Sequence, residues 1–123
     1  MENFNILPTK VTPKVTFNMD KKSLEFKGIL CPENPYIFFT PIIEALRKYL
    51  NENTEMNFRI ELDYFNSGSS KCLLSLFKTV ADIQPIKIES TVSWITESND
   101  EDLVEAGKLF EEITGLKFEY INN

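Results

Sequence analysis

Histidine is missing from all 123 residues. That absence removes Ser-His-Asp and Cys-His activation of a nucleophile, and histidine-based metal sites with them. Catalysis would have to run on carboxylates, lysine or tyrosine alone, so no catalytic residue, metal or cofactor is expected. Cysteine is scarce too. Cys31 and Cys72 are the only two, too few for a disulfide scaffold or a zinc site; they read as a loop residue and a helix-face or core thiol. No apolar run approaches the roughly 18 residues of a membrane span. The opening MENFNILPTK lacks the basic and apolar regions of a secretory signal. The expectation is a cytoplasmic chain without a membrane partner. Positive charge is in deficit as well: 13 Lys and Arg against 19 Asp and Glu leave a net charge of −6. No window concentrates the basic residues, which argues against nucleic acid as a partner.

What the chain does have is clean periodicity. At 42% hydrophobic and 26% charged it suits a soluble globular fold, and its length suits one domain over residues 1–123. Residues 1–12, with Pro8, read as a loosely held lead-in. KVTFNM and SLEFKGI each alternate apolar and polar positions, and DKK between them makes a turn, the pattern of a hairpin. CPENPYIFFTPIIEALRKYLNEN is a helix with two possible starts. Asn34 and Pro35 suit a cap and a first position, but Pro41 cannot sit deep in a straight helix without a kink. The other start therefore has Thr40 as cap and Pro41 first. MNFRIELDYF alternates most clearly, with Phe58, Ile60, Leu62 and Tyr64 on one side and Asn57, Arg59, Glu61 and Asp63 on the other.

The segment SSKCLLSLFKTVADI has helical spacing and predicts a helix from Ser70 to Asp82. IKIESTVSW alternates Ile86, Ile88, Val92 and Trp94 against Lys87, Glu89, Thr91 and Ser93. An acid-fronted helix follows, stopped at Gly115, and LKFEY closes the chain as a strand. Helix and strand alternate after the hairpin, which predicts βαβ crossovers and parallel neighbours. Strands buried on both faces would be continuously apolar. These alternate, so the fold class is α/β, with a mixed, mostly parallel sheet of about five strands and helices mainly on one face. A ferredoxin-like or other α+β sandwich is the alternative.

Candidate chemistry centres on DYFNSGSSK, residues 63–71, where three serines and a glycine fill four positions between a strand and a helix. Helix N-termini offer unpaired N–H groups and partial positive charge, so anions bind there. A single serine would be an ordinary cap worth about 1 kcal/mol, and one hydroxyl suffices for that. A phosphate-binding loop needs a second glycine before Lys71, and the S-x-x-K of penicillin-recognising enzymes needs serine where Gly68 stands. What survives is an exposed hydroxyl or a small anion at a helix mouth formed by Asn66, Gly68, Ser69, Ser70 and Lys71. The acidic run ESNDEDLVE is most simply a solvated, dipole-matched cap. Glu33 and Asn34 in CPENPY belong to a functional rim or to a structural cap.

Two stretches together, CPENPYIFFTPIIEAL and ELDYFNSGSSKCLLSLF, resemble the SiaC family of small bacterial regulatory phosphoproteins. That family shows P-E-N before an aromatic-rich helix and Y-[FL]-N-[TS]-S-S-x-K at a strand-to-helix turn. The likeness covers nearly the whole chain. It implies a STAS-like fold and a non-enzymatic role in partner switching and cyclic di-GMP signalling that controls biofilm. Partners implied are a Ser/Thr protein kinase, a PP2C-type phosphatase and a diguanylate cyclase, which the unphosphorylated form binds and activates. The implied phosphoacceptor is Ser67, where the family often has threonine. Gly68 replaces a usual serine, which loosens the turn and makes Ser69 a rival acceptor. The alternative is a small anion-binding or phosphometabolite-binding module or enzyme using the same turn. A deep pocket over residues 66–71, lined by a second charge such as Glu33, would favour that reading.

Overall fold

The computed structural model describes residues 3–83, 90–97 and 100–123. Its elements run β1 (Phe4–Ile6), β2 (Lys14–Asn18), β3 (Ser23–Leu30), α1 (Pro35–Leu50), β4 (Asn57–Phe65), α2 (Ser67–Ile83), β5 (Thr91–Thr96), α3 (Glu101–Thr114) and β6 (Lys117–Asn122). The strands form one sheet in sequential order, β1 to β6. The first two pairings are antiparallel, and β3 through β6 are parallel, each reached through a helix. This is the mixed sheet the alternation predicts, and not the split βαβ of the ferredoxin-like alternative. It has six strands rather than five: β1 comes from the segment that reads as a lead-in, and Phe4 packs on Phe17 at 5.2 Å between ring centroids.

One core cluster joins the sheet to the helices. Val15, Phe17, Leu24, Phe26, Phe58, Ile60, Leu62, Val92, Trp94 and Phe118 supply the strand side; α1 adds Phe39, Ile42, Leu46 and Tyr49, α2 adds Leu73, Leu76, Phe77 and Val80, and α3 adds Phe110. α1 lies against α2 and α2 against α3, so all three share the face that these strand residues line. The other face carries charge: Arg59 reaches Glu25 and Glu61 at 3.7 and 3.9 Å, and Lys27 reaches Glu61 at 3.7 Å. Such exposed pairs contribute little stability; they mark a solvated face. The expected places of Ile86 and Ile88 in the core, and of Lys87 and Glu89 opposite, lie outside the described residues.

Two local expectations are corrected, and one open alternative is decided. Tyr64 does not join the core; it is 56% exposed. Register between β3 and β4 shifts after Gly28, so Gly28 pairs with Leu62 but Ile29 with Tyr64, leaving Asp63 as an extra residue. A bulge of this kind reverses inside and outside for whatever follows. Phe65 therefore turns inward, against Trp94 and Phe110. The φ of +131° at Gly28 permits the distortion, with Pro13 packed where a side chain would begin.

Of the two possible starts of α1, the structure takes the earlier one: the helix begins at Pro35 with Asn34 as its cap, and Pro41 lies inside it. Thr40 caps nothing; its hydroxyl donates to the Tyr36 carbonyl at 2.6 Å. The second correction is that α2 begins at Ser67, three residues before Ser70.

Candidate functional site

The serine-rich turn is built around Asn66. Its N–H donates to the Leu30 carbonyl at 3.1 Å and its Nδ2 to the Pro32 carbonyl at 3.3 Å, fixing the end of β4 to the end of β3. Its Oδ1 accepts from the Ser69 N–H at 3.0 Å, and its carbonyl from the Ser70 N–H at 3.0 Å. Asn66 is thus the N-cap of α2, a role worth about 1 kcal/mol, and none of the serines is needed for it. Ser67 becomes the first helical residue.

The sequence stretch around Glu33 meets this turn directly. An added Cβ at Gly68 would stand 3.3 Å from Pro35 Cγ, so the first residue of α1 rests on the second residue of α2. Gly68 does not turn the chain, as glycines at positive φ do; the described glycines with positive φ are Gly28 and Gly115. Its use is the close approach of Pro35, at a helix-propensity cost of about 1 kcal/mol relative to alanine. The rim is therefore contiguous. Glu33 and Asn34 are exposed, and Asn34 Oδ1 accepts from the Ile37 N–H at 3.4 Å.

The hydroxyls of the turn are not equivalent. Ser67 is exposed and Ser70 half-buried, whereas Ser69 is 0% exposed and its Oγ has no hydrogen-bond partner. Lys71 is exposed and makes no ion pair among the described residues. Cys72, next along, is buried, and burial pushes its thiol pKa up, so it is not an activated thiolate. The first turn of α2 contains no carboxylate. The contrast is with α3, capped by Asp100 and opened by Glu101 and Asp102.

Large exposed apolar side chains lie on the segments that adjoin the turn. Tyr36 and Ile37, which follow Pro35, are 63% and 73% exposed, and Tyr64 lies at the end of β4. Sequence reading passed over the first two. Their signal was helical phase: Phe39, Ile42, Leu46 and Tyr49 define the buried stripe, and positions 36 and 37 lie off it. Nothing in the sequence marked Tyr64, because the bulge that turns it out depends on the neighbouring strand.

Elsewhere, an open groove of about 570 Å³ lies between the start of α3 and the ends of β5 and β6. It is lined by Glu97, Asp100, Glu101, Asp102 and Glu105, with Lys108 the cation among its residues, and residues 66–71 do not line it. Among the described residues no cluster of cysteine and carboxylate groups is arranged to hold a metal ion.

Matched against known families, residues 6–123 fit the description SiaC family regulatory phosphoprotein. The chain belongs to the SiaC family. It is accordingly a regulatory phosphoprotein by family and not an enzyme. Solved family structures share its fold. The apo-SiaC crystal structure from Pseudomonas aeruginosa superposes with a TM-score of 0.87 at 19% identity, covering 98% of this chain and 99% of that one. A chain of the crystal structure of the diguanylate cyclase SiaD in complex with its activator SiaC, from the same organism, gives 0.90 at 20% identity, with 98% and 99% coverage. A third structure, SiaC of Pseudomonas aeruginosa, gives 0.90 at 20% identity over 100% of both chains. No curated protein matches the sequence significantly. No described helix is long and apolar enough to cross a membrane.

Proposed function

We propose that this family member is a phosphorylation-controlled partner switch, with Ser67 as the acceptor and a diguanylate cyclase as the effector bound by the unmodified form. The observation that carries the site assignment is the difference in access: Ser67 is exposed at the first position of α2 while Ser69, two residues on, is 0% exposed. A kinase must bring its nucleotide to the acceptor oxygen, and Ser69 could receive it only if the first turn of α2 opened.

In the forward step Ser67 Oγ attacks the γ-phosphorus of a nucleoside triphosphate, gives its proton to a base of the kinase, and the diphosphate leaves. In the reverse step a PP2C-type phosphatase directs water at the phosphorus, and Ser67 Oγ leaves and regains its proton. A supply of nucleoside triphosphate favours a cytoplasmic location. The exposed rim of Glu33, Asn34, Tyr36, Ile37 and Tyr64 beside Ser67 suits a protein partner, since exposed aromatic side chains are common interface anchors. An interface closing over a neutral hydroxyl excludes a group carrying about −1.5 to −2 charges, which it would have to desolvate.

The phosphometabolite reading has less behind it. The 570 Å³ groove is lined by carboxylates, which repel an anion. Phosphopeptide mapping of the protein from its native cells tests the assignment: the phosphate should sit on Ser67 and vanish in Ser67→Ala. Phosphate on Ser69 in the wild-type protein would overturn the choice of residue.

A further inference from the structure

Ser67 and Lys71 are both exposed and lie four residues apart on α2, so their side chains sit one turn apart on the same face. The acid-to-base order from N- to C-terminus is the favourable one along a helix. Asn66 already satisfies the N–H groups of Ser69 and Ser70, but those of Ser67 and Gly68 have no partner among the described residues. No carboxylate occupies the first turn, and Lys71 is not drawn off by any described acid. These features leave a positive end of a helix and an ammonium, unpaired among the described residues, beside one modifiable oxygen. Glu33 and Asp63 are the exposed carboxylates of the adjoining segments, and none lies in the first turn of α2 itself.

Resting on the reading of Ser67 as the acceptor, we propose that the phosphate is held in cis by the Lys71 ammonium, together with the free N–H groups of Ser67 and Gly68. No site for a free anion is implied; the charge arrives attached to Ser67. The held phosphate favours its dianion. It orders the first turn of α2 instead of fraying it, and the modified protein presents its partner with one fixed charged surface. Lys71 is then a positioning residue for the modified state and idle in the unmodified one.

The test uses the full chain with phosphoserine installed at position 67 by genetic encoding, so it does not depend on whether any kinase uses that site. Phosphorus NMR gives the second ionisation of the phosphate, which lies near ~6 in an exposed phosphoserine. The expected result is a fall of about half a unit, the size a helix end and one ammonium can produce. In Lys71→Gln most of that fall should be lost, and in Lys71→Arg it should be kept. An unshifted ionisation in the wild-type background overturns the proposal, and so does a fall that survives Lys71→Gln. Failure of a kinase to label Ser67 in a separate assay would count against the acceptor assignment and leave the NMR result standing.

Discussion

At the scale of single residues, the turn separates hydroxyls that a sequence presents as alike. Three serines in four positions mark the place as unusual, but which one faces solvent depends on where the helix starts. With Ser70 as the first helical residue, Ser69 would have been a natural cap and a plausible acceptor. Asn66 caps instead, the helix begins at Ser67, and Ser69 moves into the buried third position. Its Oγ is then a hydroxyl without a partner, and such a group costs about 1–3 kcal/mol to bury. Ser69→Ala should therefore leave stability unchanged or raise it by up to ~1 kcal/mol, read as a higher urea midpoint at constant slope. A drop of that size instead would mean that the hydroxyl is bonded in solution.

At the scale of elements, periodicity carried the strands as far as their regular parts. MNFRIEL gave the faces of β4 correctly up to Leu62, and failed at Tyr64 because Asp63 is an extra residue opposite a distorted Gly28. Strand β1 was missed for a related reason. Three residues are too few to show a period, and what makes them a strand is the neighbour they pair with.

The free edge of the sheet at β6 has a guard of its own. Glu111 on α3 accepts from the Phe118 N–H at 3.2 Å through one oxygen and from the Tyr120 hydroxyl at 2.7 Å through the other. A carboxylate over an edge N–H blocks the pairing with a second strand that bare edges invite. Glu111→Ala removes two charge-assisted bonds and should cost roughly 2 kcal/mol in unfolding free energy. It should also add a dimeric species in size-exclusion light scattering at high concentration. A fully stable, monomeric variant would contradict the guarding role.

At the scale of the molecule, the chain is acidic, and carboxylates gather at the start of α3, where Asp63 from the end of β4 joins Glu97 and Asp100; the first turn of α2 itself carries none. A phosphate on Ser67 would therefore meet the N–H end of α2 and Lys71 on one side, and the acids of the adjoining segments, Glu33 and Asp63, on the other.

Stability should fall at alkaline pH. The Tyr120 phenol is held well above the ordinary tyrosine range by burial, by its bond to Glu111 and by that carboxylate's charge. Tyr49 is raised by burial and by Glu55, and Cys72 by burial. Each folded group keeps its proton where the unfolded one releases it. The unfolded chain therefore binds fewer protons above the ordinary thiol range near ~8.5, and more clearly fewer above the tyrosine range near ~10. Unfolding free energy declines with pH wherever that holds. Melting temperatures measured from pH 7 to 11 should be flat at first and then fall, and Tyr120→Phe should remove part of the late fall. A flat profile to pH 11 would contradict the assignment.

The central claim is that the charge state of Ser67 decides partner binding, and affinity tests it most directly. The measurement compares the unmodified protein with the protein bearing phosphoserine at position 67, titrated against the diguanylate cyclase of the same organism. Excluding the dianion from the interface by only about 3 kcal/mol weakens binding more than a hundredfold. The unmodified form and Ser67→Ala should bind alike, Ser67→Glu should bind more weakly, and the phosphorylated form should bind most weakly of all. Equal affinities for the unmodified and phosphorylated proteins would contradict the account.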